Sequence, residues 1–208
     1  DWVAHVRREL APVEAGRFFV YGSHDADKVP EGKHALLIEA AMAFGTGHHG
    51  TTLGCLRALD RLADQGFAGK RVVDIGCGTA VLAMGAAAIR PNAVLASDID
   101  AQAVEVAEAN LTANSMSGRV HVVEAAGFDH PDLAGPFDLI FANILKGPLV
   151  ALAPDLTARL ESGGYAILSG ILNEQADAVA DVYAQLGNSV VHRDMIGDWT
   201  TLCLQKNT

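Results

Sequence analysis

The chain has 208 residues, 50% of them hydrophobic, and a formal net charge of −10. That suits one α/β domain with a short extension and excludes global disorder and a broad phosphate-binding surface. No apolar run approaches the ~20 residues of a membrane span, so no membrane association is expected.

The acidic balance suits a basic protein partner, although many soluble enzymes are acidic for no such reason. The opening residues, Asp1-Trp2-Val3-Ala4-His5, do not read as a signal peptide. Cys55, Cys77 and Cys203 are far apart and form no Cys-x-x-Cys pair. Reduced thiols in a cytoplasm are therefore expected.

In chain order, residues 1–40 read as a linker and N-terminal extension. Within them Phe18 to Tyr21 and Ala35 to Ile38 are predicted as short strands around a polar turn from Gly22 to Gly32. From about residue 50 strand and helix alternate, which implies a mostly parallel sheet. The predicted elements are a helix from Thr51 to Leu62, a strand from Arg71 to Ile75, and a helix from Val81 to Ile89. A strand from Val94 to Ser97 follows, then a helix from Ala101 to Ala113 with Val104, Ala107 and Leu111 on one face. Val120 to Val123 and Phe137 to Ala142 are strands, the second ended by Asn143. Leu149 to Leu160 is a helix stopped by Gly163-Gly164. Tyr165 to Leu168, Ala176 to Leu186 and Ser189 to His192 continue the pattern, and Thr200 to Leu204 makes a last strand.

The most informative run is Asp74-Ile75-Gly76-Cys77-Gly78-Thr79-Ala80, between a strand and a helix. Glycines at such a turn let backbone approach a ligand where a Cβ would clash. Asp98 ends the next apolar run, about 20 residues on, where a carboxylate can accept hydrogen bonds from ribose hydroxyls. Loop and acid together point to an adenosine-bearing cofactor. A dinucleotide loop would close on Gly or Ala where this chain has Val81. The run reads better as Gly-x-Gly-x-Gly with Ala80 in the third place, after the acid Asp74. That shorter loop resembles the one in class I methyltransferases that bind S-adenosylmethionine.

Three further segments sharpen the resemblance: Ala43-Phe44-Gly45-Thr46-Gly47-His48-His49-Gly50-Thr51-Thr52, then Asp98-Ile99-Asp100 leading into a helix that carries Asn110, then Phe141-Ala142-Asn143-Ile144-Leu145. In order and spacing around the glycine loop these resemble the PrmA family of bacterial methyltransferases, which act on large-subunit ribosomal protein eleven. The resemblance covers nearly the whole chain, and the first segment is its most specific part. It implies a doubly wound, mostly parallel, seven-stranded, three-layer Rossmann-like α/β fold, with residues 41–208 as the methyltransferase domain. Two features depart from the family: Ala80 stands where a glycine is usual, and the N-terminal domain that recognises the ribosomal protein is not in this chain.

The expected roles follow. Gly76 and Gly78 bring backbone against the methionyl and ribose portions of S-adenosylmethionine, and the next helix N-terminus favours its carboxylate. Asp98 holds the ribose hydroxyls. By resemblance, Thr52 contacts the cofactor from the first helix, and Phe44 with Gly47 shapes the pocket; a core aromatic is the plainer reading of Phe44. Asn143 ends a strand where doubly wound folds place ligands. Its carbonyl can accept a hydrogen bond from a target amine, aim the lone pair and touch the cofactor as well; the plainer reading is a strand-end turn former.

Amino-directed methyltransferases often carry Asn-Pro-Pro-Tyr at that place. Here Ile144-Leu145-Lys146 follow Asn143, and a flipped nucleobase would want the missing aromatic. An aliphatic amine is favoured, and no direct nucleic-acid binding is expected. Adjacent His48 and His49 lack zinc-ligand spacing, and no metal is expected. Asp100 bonds the cofactor's edge or caps the following helix, Glu105 and Glu108 form a solvated helix face, and Cys77 is a loop filler. The resemblance thus implies a methyltransferase for lysine side-chain or N-terminal amines of the ribosomal protein. Methylation of an RNA base or small-molecule amine, a non-catalytic cofactor-binding scaffold, and a dehydrogenase are the alternatives.

Overall fold

The computed structural model describes residues 11–39 and 49–208. The first of these segments forms β1 (Val13–Ala15), β2 (Phe18–Tyr21), a 3-10 turn (Ser23–Lys28) and β3 (His34–Leu37). Then come α1 (His49–Asp64), β4 (Val72–Ile75), α2 (Val81–Ile89), β5 (Val94–Asp98), α3 (Ala101–Ala113) and β6 (Val120–Glu124). The rest is β7 (Phe137–Asn143), α4 (Lys146–Ala151), α5 (Ala153–Arg159), β8 (Leu160–Leu172), α6 (Ala176–Gln185), β9 (Asn188–Ile196) and β10 (Trp199–Lys206).

Among the described residues, seven strands form one sheet in the order β6-β5-β4-β7-β8-β10-β9. Neighbours from β6 to β8 run parallel, while β10 is antiparallel to both β8 and β9. The central strands are buried on both faces: every residue of β4, and all of β7 but its last, Asn143. Continuous apolar strands of that kind need helices on both sides, and two cores result. On one face Val72, Leu139, Phe141 and Ile167 pack against Leu56 and Leu59 of α1, Met84 of α2 and Leu111 of α3. On the other, Val73, Ile75, Ile140 and Leu168 meet Leu149, Leu156, Val179 and Tyr183 from α4, α5 and α6. Side chains alternate along a strand, so Asn143, two residues past Phe141, faces the α1 side.

Strand order reverses between β4 and β7, and in open α/β sheets ligands bind at that crevice, beyond the strands' carboxyl ends. The doubly wound, three-layer expectation is thereby met.

Three details differ from expectation. The predicted helix over 149–160 is two short helices, α4 starting at Lys146 and α5 carrying Pro154 in its first turn. Proline has no N–H to continue the ladder. Gly163-Gly164 do not stop that helix; it ends at Arg159, and both glycines lie inside β8, where the register against β7 shifts. Besides the two strands expected around the polar turn, which pair in parallel as β2 and β3, an unanticipated β1 pairs antiparallel with β2. Phe18 and Leu36 of that small sheet are fully buried in the same core as α1 and α2. Arg17 binds Asp60 and Asp64 of α1, and Asn114 pairs with the backbone of Leu37 through both ends of its amide.

Candidate active site

The glycine loop is held from three sides. Asp74, next to last in β4, faces α2, and its carboxylate accepts from Ala83 N–H at 3.2 Å, an acid at a helix N-terminus. Its burial pushes that carboxyl up to about 8, tempered by the Ala83 bond and reinforced by the nearby charge of Asp98. Cys77 N–H donates to Ser97 O at 2.8 Å, joining the loop to β5. Asn110 of α3 donates from Nδ2 to Thr79 O at 3.0 Å and is 1% exposed. The turn then enters α2 through Ala80, which sits in the left-handed region at φ 68° and is fully buried.

Asp98 is tied to the same loop. Its two carboxylate oxygens accept from Gly78 N–H and from Asp100 N–H, each at 3.0 Å. Each oxygen keeps a further acceptor position, the requirement for holding two ribose hydroxyls. Asp100 caps α3 by accepting from Gln102 N–H at 2.9 Å, the second of its two expected roles. Cys77 is buried, and burial raises its thiol far above the ordinary range, which fits a filler and not a nucleophile.

Two adjoining clefts lie over the switch point. One, of about 400 Å³, is lined by Thr52, Asp74, Gly76, Gly78, Asn143 and Gly170, among others. The other, of about 460 Å³, is mainly apolar and runs from Asp98 past Ile99, Ala125, Leu145 and Leu152. Both clefts are lined by Gly76, Leu145 and Ile144. Glycine is required on either side of this isoleucine: a Cβ at Gly76 would stand 2.6 Å from Ile144 Cγ2, and one at Gly170 2.6 Å from Ile144 O. At Gly78 a Cβ would meet no protein atom within 4 Å, so that side of the loop is open where it lines the cleft. A backbone-lined cleft, a carboxylate at the junction and an apolar slot beyond it fit a methionyl group, a ribose and an adenine in sequence.

The structure therefore brings Thr52, Gly76, Gly78, Asp98 and Asn143 to one place. Phe44, Gly47 and His48 lie outside the described residues, as does the side chain of His49. Among the described residues no cluster of three His, Cys, Asp or Glu could hold a metal ion, and no helix is long and apolar enough to cross a membrane. Asn143, at the end of β7, donates from Nδ2 to Thr51 Oγ1 at 3.2 Å. Sequence reasoning did not single out Thr51, Ile99, Ala125, Leu152 or Gly170 as site residues. They come from separate places, Thr51 from α1, Gly170 from β8 and the others from connections, and only Gly170, a lone glycine after the run Tyr165 to Ser169, left a local signal.

The family model described as ribosomal protein L11 methyltransferase (PrmA) matches residues 1–207. A ribosomal protein L11 methyltransferase of Bradyrhizobium diazoefficiens is 48% identical over 208 residues, covering 99% of this chain and 70% of the relative. One of Rhodopseudomonas palustris is 46% identical with the same coverage. The crystal structure of a ribosomal protein L11 methylase from Lactobacillus delbrueckii subsp. bulgaricus superposes with a TM-score of 0.84 at 25% identity, over 95% of this chain and 99% of that one. With the switch-point clefts and the Asp98-bound glycine loop, these matches place the chain in the ribosomal protein L11 methyltransferase family.

Proposed function

We propose that this chain transfers methyl groups from S-adenosylmethionine to lysine side-chain or N-terminal amines of ribosomal protein L11, in the cytoplasm. The observation that carries the reading is the pairing of Asp98 and Asn143 at one switch-point crevice: one group suited to the cofactor's ribose, the other to an amine. Bound S-adenosylmethionine supplies a methyl already activated on a sulfonium. The chain's part is to bind, orient and exclude water. Gly76 and Gly78 offer backbone to the methionyl and ribose portions, with Thr52 lining the same cleft; the family resemblance adds Phe44 and Gly47 to this role. Asp98 fixes the ribose, and the apolar slot at Ile99 and Leu152 takes the adenine. Asn143 accepts from the incoming amine and aims its lone pair along the methyl–sulfur bond. Ile144-Leu145-Lys146 give no aromatic face for a nucleobase, and Leu145, which lines the cleft together with Asn143, is 66% exposed, a surface suited to an aliphatic stem.

Labelled-methyl transfer to purified L11, with this chain and a form extended by the relatives' N-terminal domain side by side, tests the reading. Mapping the label to lysines or the N-terminus is the expected result. Label entering RNA or small amines and not L11 would move the reading to the alternatives, and cofactor binding with no transfer by either form would favour a scaffold.

A further inference from the structure

Asn143 can serve an amine only if its carboxamide presents oxygen to the cleft; a flipped amide would set its NH2 against another donor. The group that holds the carboxamide with oxygen toward the cleft lies on a different element. Thr51, in the first turn of α1, is fully buried, and its Oγ1 accepts from Asn143 Nδ2 at 3.2 Å. Burial leaves no bulk water to replace that acceptor, and a β-branched side chain in a helix is stiff at χ1. The backbone end of the asparagine is fixed as well: Ile144 N–H donates to Ser169 O at 3.2 Å, and Gly170 lies against the Ile144 backbone. With Nδ2 committed to Thr51, Oδ1 is the end left for a substrate.

We propose that Thr51 is a positioning residue for methyl transfer: its hydroxyl anchors the Asn143 carboxamide by accepting from Nδ2 and so holds Oδ1 aimed at the amine. The proposal rests on the reading of Asn143 given above. Thr51→Val keeps the side chain's shape and removes the acceptor, while Thr51→Ser keeps it. In single-turnover transfer to L11 at saturating S-adenosylmethionine, the valine variant should be slower by about tenfold, the size expected for losing one orienting hydrogen bond. The serine variant should recover most of the rate. Cofactor affinity by calorimetry should stay within about threefold in both, since Thr51 does not line the cofactor cleft. If the valine variant does not fold, Thr51→Ala compared with Thr51→Ser makes the same test. Equal rates for valine and serine variants would overturn the proposal, as would a loss of rate fully matched by a loss of cofactor affinity. Asn143→Ala in the same assay separates the two readings. If it transfers normally, the Asn143 assignment fails and the Thr51 proposal with it; if it is slow while Thr51→Val is normal, only the Thr51 proposal fails.

Discussion

Asp98 has two tasks at once. It accepts Gly78 N–H and Asp100 N–H, so it shapes the loop as well as offering itself to a ribose. Asp98→Ala should therefore weaken S-adenosylmethionine binding by about 2–3 kcal/mol, roughly 30–150-fold. Calorimetry on a variant shown to be folded by its melting curve checks this; unchanged affinity would remove Asp98 from the ribose role. This residue was legible in the sequence because its signal is local: an acid at the end of the strand after a glycine loop. Thr51 was not. Its partner lies 92 residues away, and no spacing rule relates a helix's first turn to the end of a distant strand.

At the scale of an element, the turn from β4 into α2 carries an alanine where the family resemblance leads one to expect a glycine. Ala80 is the residue before the helix, left-handed at φ 68°. A Cβ there costs about 1–2 kcal/mol of backbone energy, while its buried methyl returns about 0.8 kcal/mol. Neither cleft is lined by Ala80, so the methyl serves the core and does not crowd a ligand. Ala80→Gly should raise stability by no more than about 1 kcal/mol in a denaturant melt and leave cofactor affinity within about twofold. A tenfold gain in affinity would show that crowding matters after all. Most elements from α1 onward could be read from periodicity, since their buried faces repeat at the helical or strand period. The split into α4 and α5 could not be placed because apolar residues continue across Pro154, and β8 was read short because Gly163-Gly164 resemble a stop. Of the N-terminal strands β2 and β3 were legible as strands and β1 was not, and their docking depends on Asp60 and Asn114, far along the chain.

For the whole molecule, strand order is what creates the site, and order is the least local property of all. The alternation of strand and helix implied a parallel sheet; the reversal between β4 and β7 came from the family resemblance. That reversal also buries Asp74 at the crevice, with a consequence for stability. Its folded carboxyl keeps a proton up to about pH 8, whereas the ordinary value is 3.8. Stability from this group is full below the lower value and is lost as pH rises through the higher one. Asp74→Asn removes the dependence, so its melting temperature should gain on the parent's progressively from pH 5 to pH 8. A difference constant across that range would refute the assignment. The central claim is that the crevice formed by this order is used for amine methylation through Asn143. Single-turnover methyl transfer to L11 by Asn143→Ala, at saturating cofactor and high L11 concentration, tests it most directly. The expected rate is lower by about 100-fold, as for misplacing a reacting group by about 1 Å, with a much smaller change in cofactor affinity. Transfer at the parent's rate would contradict it and leave Asn143 as a strand-end turn residue.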